Sequence, residues 1–303
     1  MPRQQGLGRL IAAICALLAA ASQAVLARER SFDSFASITP IYQGSADLDR
    51  GGDVRLTVLI TRVGTSTSLG GGTRAGITLA YDDFDYSSTA PVAFNAVAPW
   101  NKVRRYGASF PMSAPVGEAW MLGVAPSADW FLEDGARSSD ALIWGATFSA
   151  IRLFPDGNRI GLDLAAFNRI EETSIVPFLI VGWRLGDRWR LINPVPSGPT
   201  GGAGLELDYR FDAGWSLGVG AALREFRFRL ADNGPVANGI GEERLVPVFL
   251  CATFSLASAM TPHAYAGVST GGRLRVEDPL GNMLRQDDLG NAPLFGLSLI
   301  GRF

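Results

Sequence analysis

Ala203-Gly204-Leu205-Glu206-Leu207-Asp208-Tyr209-Arg210-Phe211 is the stretch that decides the fold. Ala203, Leu205, Leu207, Tyr209 and Phe211 fall on one side of an extended chain. Gly204, Glu206, Asp208 and Arg210 fall on the other, because successive strand side chains point to opposite faces. A sheet face this greasy beside a face this charged suits a wall between hydrocarbon and water.

The same period recurs outward from this stretch. Val54, Leu56, Val58 and Ile60 alternate with Arg55, Thr57, Leu59 and Thr61. Ile160, Leu162, Leu164 and Ala166 alternate with Arg159, Gly161, Asp163 and Ala165. Trp215, Leu217, Val219, Ala221 and Leu223 alternate with Ser216, Gly218, Gly220, Ala222 and Arg224. The chain is 47% hydrophobic and 18% charged, yet after residue 27 no run approaches the ~20 apolar residues of a membrane-spanning helix. Alternation reconciles a greasy average with the lack of greasy blocks. The 36 glycines suit a curved, crowded wall.

Two kinds of connection alternate along the chain. Short turns are expected at 69–73, 113–117, 155–158, 186–187, 212–214 and 257–260. Longer polar loops are expected near 44–53, 85–100, 132–138, 194–201, 231–242 and 278–290, with 170–173 as a short member of that set. This predicts a transmembrane, antiparallel, up-and-down β-barrel of about 14 strands with both chain ends at the periplasmic rim. Twelve strands is the alternative, should the weak strand at 189–193 and one other fail to form. Phe154, Trp183, Trp189, Phe211, Trp215 and Phe254 crowd the short-turn ends, as an aromatic girdle at headgroup level would.

Residues 1–27 carry the three parts of a secretory signal peptide: Arg3 and Arg9, an apolar run from Leu10 to Ala21, and small-x-small sites ending at Ala24 and Ala27. Cleavage after Ala27 is favoured over Ala24, leaving residues 28–303 as the outer-membrane barrel domain. At the other end Phe295, Leu297, Leu299, Gly301 and Phe303 share one face. An amphipathic final strand ending in Phe looks like the signal read by the barrel assembly machinery. Phe295, Leu297, Leu299 and Phe303 are its candidate residues, and periplasmic chaperones are expected partners on the way.

Ile192-Asn193-Pro194-Val195-Pro196, the run from Gly198 to Tyr209, and the continuation from Trp215 through Leu230 carry a likeness to a known family. In these segments the chain resembles a family of outer-membrane β-barrel proteins of unknown function from Gram-negative bacteria. The resemblance is close over 190–230 and loose elsewhere. It implies a barrel and a location, and no activity or substrate.

The search for chemistry is largely exclusionary. A formal charge of −2 gives no case for nucleic acid. With one histidine, His263, and one cysteine after the leader, Cys251, no zinc site and no internal disulfide can be built, and no cofactor is implied. An outer-membrane lipase would need a serine and carboxylate beside His263 near the extracellular side, whereas this residue follows a short turn. An exposed or interfacial histidine is expected instead, and the chain is not read as an enzyme. Gly70-Gly71-Gly72 reads as turn glycine.

Arg55, Asp163, Arg184, Glu206, Asp208, Arg210 and Arg224 are the expected lumen-lining charges, either paired with one another or lining a polar conduit. A barrel of about 14 strands is too wide for side chains alone to fill. It must hold water, an inserted loop or a ligand. Ala90–Trp100 is unusually apolar for a loop, so it is expected either to fold inward or cap the mouth as a constriction, with Phe94 and Trp100 as contact residues, or to pack against neighbouring extracellular loops. Arg227 and Arg229, interleaved with Phe226 and Phe228, would meet lipopolysaccharide phosphates or pair in the lumen. A β-bulge is expected between Leu223 and Phe226. The leading functional expectation is a passive channel for small solutes, contacting outer-membrane lipid and lipopolysaccharide. A non-conducting structural or adhesion barrel is the first alternative, and a lipid-modifying enzyme the second.

Overall fold

The computed structural model describes residues 32–196, 198, 203–212, 214–254 and 259–303. The signal-peptide reading and half of the turn at 257–260 lie outside them.

The chain folds into β1 (Phe32–Asp47), β2 (Asp53–Gly70), β3 (Thr73–Thr89), β4 (Lys102–Ser109), β5 (Met112–Val116), β6 (Trp120–Glu133), β7 (Leu142–Leu153), β8 (Arg159–Arg169) and β9 (Glu172–Arg184). It continues through β10 (Trp189–Ile192), β11 (Gly204–Arg210), β12 (Trp215–Ala222), β13 (Arg224–Arg229), β14 (Ile240–Phe254), β15 (Met260–Glu277), β16 (Met283–Leu289) and β17 (Ala292–Arg302). Three breaks are nicks within single staves. Against β6, the register from Val103↔Glu133 to Val116↔Trp120 runs unbroken through β4 and β5. Likewise β12 with β13 forms one stave against β14, and β16 with β17 one stave against β15. The result is a closed antiparallel barrel of 14 staves, sealed where β1 pairs with β17. Closure leaves the first and last strands with no open edge.

Most expected connections stand. The weak strand at 189–193 forms, as the four-residue β10. The loop expected at 278–290 does not span that range, because Met283–Leu289 is a strand pairing with β15. The bulge expected after Leu223 is also absent: Trp215↔Phe254 to Arg229↔Ile240 is one register. What changes there is chemistry, because Phe226 and Phe228 occupy the inward positions that Ser216 and Gly218 hold lower down.

The outer surface of the half nearest the short turns is an apolar belt. Leu79, Phe148, Leu162, Val219, Leu250 and Leu297 all stand at least half, or close to half, exposed. Glycines occupy inner positions where the sheet coils tightest. A Cβ on Gly267 would lie 2.2 Å from the Val248 carbonyl oxygen, and one on Gly145 2.2 Å from that of Ala166. At the turn rim the aromatics form a continuous girdle. Trp189 meets Tyr209, Tyr209 meets Phe211, and Phe211 stacks on Trp215 with centroids 3.8 Å apart.

Towards the long-loop rim the barrel narrows. β6 pairs with β7 only as far as Trp130↔Leu142. Beyond that point its free edge takes β13 instead, through the parallel contact Arg229↔Leu132. On the other side, β12 leaves β11 at Ala222↔Gly204. The five staves β7 to β11 are therefore excluded from the upper ring. That ring consists of nine: β1, β2, β3, β4, β6, β13, β14, β15 and β16, with Leu48↔Leu289 bridging β1 to β16. An odd number of staves cannot alternate direction all the way round, so one neighbouring pair must be parallel. The β6–β13 contact is that pair.

Candidate functional site

The nine-stave ring is filled. Ile41, Leu56, Val58, Phe84, Phe131 and Leu274 point into it, joined by Phe228 from β13. The loop after β3 completes the filling, with Phe94 3% and Trp100 2% exposed. Trp100 packs edge-on against Tyr86 and Phe228, at 5.8 and 5.1 Å. The inward fold expected of this loop is present, though its aromatics sit inside a packed core and do not line an open constriction. With its amide oxygen turned to Arg285, Asn95 accepts from Nη2 at 2.8 Å and fixes the loop to β16.

This core inverts one expectation. On β2 the apolar residues Val54, Leu56, Val58 and Ile60 are buried inward, while Arg55 is exposed on the outer face. Arg55 does not line the lumen. Near the loop rim the outside is wet and the inside dry, so the alternation has the opposite sense to that in the lipid belt.

Arg224 faces inward as expected and is 5% exposed. Its Nη2 donates to Gln43 Oε1 at 3.0 Å and lies 3.5 Å from Glu243, to which Tyr86 Oη also donates at 3.2 Å. A charge this deep costs several kcal/mol in desolvation, roughly, unless paired in this way.

The odd-numbered side chains of β13 point away from the core, towards the excluded staves. Arg227 donates to Glu277 at 2.6 Å, to Glu242 at 3.0 Å and to the Ile170 carbonyl at 3.0 Å. Arg229 meets Glu171 at 3.1 Å and the carbonyls of Asp140 and Asn238. Arg169 pairs with Glu225. Both Arg227 and Arg229 are buried and paired with acids, the pairing alternative of the two expected for them, and neither is free to meet lipopolysaccharide phosphate. These bonds pin the two-residue turn between β8 and β9 onto β13. Glu171 in that turn holds φ at 61°, a left-handed conformation uncommon for a residue with a Cβ.

Between β13 and the walls of β3, β4, β6, β7 and β8 lies a cavity of about 390 Å³. Its polar lining includes Arg62, Arg105, Asp129 and the Arg169–Glu225 pair. Arg62 is paired to Asp82, and Arg105 Nε donates to Asp129 at 2.9 Å. Gly107 makes room for this ladder, since a Cβ there would lie 2.0 Å from Asp129 Oδ1. None of these five charges stands opposite an apolar run as clear as that of β11, and the sequence reading passed over them.

The remaining expected lumen charges lie in the wide half. Glu206 and Asp208 face inward and are nearly fully buried, and Arg190 Nη2 donates to Asp208 at 2.6 Å. Asp163 shares the inner face of β8. Arg184, opposite Arg190, and Arg210 share that inner side at the turn rim, where both are exposed. His263 is 8% exposed, not surface-lying as expected. It faces inward, its Nδ1 2.8 Å from Thr253 Oγ1, and its cross-strand neighbour Ser298 is engaged with Thr39. Cys251 is buried on the same inner side, near Tyr265.

The loop expected at 194–201 begins with an inward course, over the described residues 193–196, that the sequence reading did not foresee. Because β10 and β11 are short, the chain between them starts halfway up the wall. Asn193 spans the gap, its side chain accepting from Val181 N–H and donating to the carbonyls of Leu179 and Gly204. Val195 and Pro196 then drop inward to share a hollow with Arg62, Asp33 and Arg302. The prolines at 194 and 196, which disfavour strand, were the available signal.

Phe295, Leu297 and Phe303 stand exposed on the outer face of the last stave, with Leu299 half-buried between them. A closed barrel with a greasy belt, an aromatic girdle and a polar or packed inside is built for lipid. The chain is an outer-membrane β-barrel. No protein-family model matches it, and no curated protein does. Among solved structures it is similar to an outer-membrane channel from Pseudomonas putida F1, with 11% identity and a TM-score of 0.46 over 91% of this chain and 97% of that one. It is also similar to the toluene transporter TodX of P. putida, with 10% identity, a TM-score of 0.40 and 91% of each chain covered. The KdgM porin matches with 10% identity and a TM-score of 0.35, over 88% of this chain and 99% of that one.

Proposed function

We propose that this barrel is a passive channel for small solutes whose route runs beside the packed ring, not through its centre. The single observation supporting this is the charged cavity between β13 and the excluded staves. The centre of the loop half is solid, so a solute crossing there would have to displace Trp100, Phe228 and their neighbours. The cavity needs only the β8–β9 turn to lift. On the outer side of that turn, Asp140, Asn168, Glu171, Glu172 and Arg229 line an open hollow of about 690 Å³. The bonds of Arg227 and Arg229 to the turn, with the Arg169–Glu225 pair beside it, then act as a gate. In this reading the turn rim faces the periplasm, lipopolysaccharide surrounds the other rim, and Phe295, Leu297, Leu299 and Phe303 present the assembly signal.

Planar-bilayer recording tests the route. The native protein should give small, infrequent openings. Arg169→Ala combined with Glu225→Ala should raise open probability, while Arg55→Ala should leave it unchanged. A silent bilayer for both the native protein and the double variant would favour a structural barrel instead.

A further inference from the structure

We infer that the cavity beside β13 is a binding site for a small amphiphilic carboxylate, an anion carrying a compact apolar body. This deepens the channel reading by naming what the route would carry. The lining divides into two chemistries. One part is Phe131, Ile143, Phe167 and Phe226. The other presents three guanidinium groups, Arg62, Arg105 and Arg169, against two carboxylates, Asp129 and Glu225. Arg227 also lines it, but its guanidinium is taken up by Glu242, Glu277 and the Ile170 carbonyl. The acid that balances Arg62 does not face the cavity: Asp82 is 1% exposed behind Arg62, and lies 3.5 Å from Arg105 as well.

The donors are also unevenly used. Arg169 makes its ion pair from Nη1, and Arg105 pairs from Nε and Nη1. Among the described residues, Nη2 of each has no hydrogen-bond partner. A planar guanidinium with free N–H groups matches a carboxylate, and phenyl rings on the facing side match the body attached to it. The volume of about 390 Å³ lies within the range of small-ligand pockets. A cation of the same shape would meet the positive excess, and a bare inorganic anion would leave the phenyl surface wet.

Calorimetric titration of the folded protein in detergent, with micelle blanks subtracted, reads this directly. The probes are hexanoate, hexylammonium, hexanol and inorganic phosphate. Hexanoate should bind and the other three should bind at least tenfold more weakly or not at all. Arg105→Gln should weaken hexanoate by roughly 10- to 100-fold, the loss expected for one charge-assisted hydrogen bond. Retained heat-modifiable gel migration certifies that the variant is folded. Ala80→Phe, which fills the cavity from between Arg62 and Gly107 and removes no charge, serves as the second variant and should abolish binding. Hexylammonium binding as tightly as hexanoate would overturn the assignment, as would unchanged hexanoate affinity in both variants. Binding without bilayer conductance would sink the channel reading alone, whereas conductance without hexanoate binding would sink only this site.

Discussion

The two ends of this barrel use the same alternating sequence for opposite purposes. In β11, Leu205 faces lipid and Glu206 is buried inside. In β2, Leu56 is buried inside and Arg55 faces out. The wide half has 14 staves and an outside made of hydrocarbon. The narrow half has nine and an outside made of water, so its apolar face turns inward and packs like the core of a soluble protein. Alternation reports that a strand has two unlike sides. Which side is the interior depends on the solvent at that height.

The largest effect expected to break this contrast comes from the narrow half. Phe228→Ala should lower unfolding free energy by about 3–5 kcal/mol, the usual cost of emptying an aromatic core site. Reversible urea unfolding from lipid vesicles would read it. A loss below about 1 kcal/mol would mean the ring is wet and not a core.

Next in size is the lipid belt. Leu162→Arg should cost about 2–4 kcal/mol at mid-membrane, while Thr57→Arg on the outer face of the narrow half should cost almost nothing. Equal costs in the same unfolding assay would erase the distinction between the two outsides.

Gly267→Ala tests how tightly the wide half coils. Its Cβ would strike a partner backbone oxygen at 2.2 Å, so a loss of about 1–3 kcal/mol is expected. A neutral result would show that the sheet relaxes there.

The smallest effect lies in the turn between β15 and β16. Asn282 and the backbone N–H groups around it hold the Asp278 carboxyl below its ordinary value of 3.8. A depressed carboxyl favours the folded turn above the ordinary value and loses that preference as pH falls through the folded one. The protection factor for amide exchange at 280–282, the rate relative to the unstructured chain at the same pH, should therefore fall only below about pH 4, and Asp278→Ala should lower it at neutral pH as well. A protection factor that stays constant through the acid range in the native protein would remove Asp278 from the turn's stability.

The barrel, the girdle and the stave count were legible because each repeats along the chain. Glu206, Asp208 and Arg224 are buried on the inner side, a side that Leu205, Leu207 and Leu223 make legible by flanking them with unmistakable lipid-type residues. Arg55 was misplaced because Val54 and Leu56 look the same whether they meet lipid or a core. The partnership of Arg169 with Glu225 was invisible for another reason. It depends on β13 leaving its neighbour for β6, a contact between distant parts of the chain that no local period encodes. Phe226 and Phe228 were the trace of that event, visible as a disturbance after Leu223 and mistaken for a bulge.

The parallel seam between Leu132 and Arg229 has a mechanical corollary. What fills the mouth is not a separate domain that could be drawn out like a cork. It is the wall itself, still laced to β14 by its full ladder. For β13 to swing back towards β11, trading a ring of nine for a ring of 14, Phe228 would have to leave the core and the Leu132–Arg229 contact, the Ala231 and Asp232 amide hydrogen bonds to Glu133 and Gly135 and the two-residue turn would have to let go, while the hairpin to β14 stayed zipped. The bore of such a vessel is set by how many staves share the circle, and this one seam holds the smaller number.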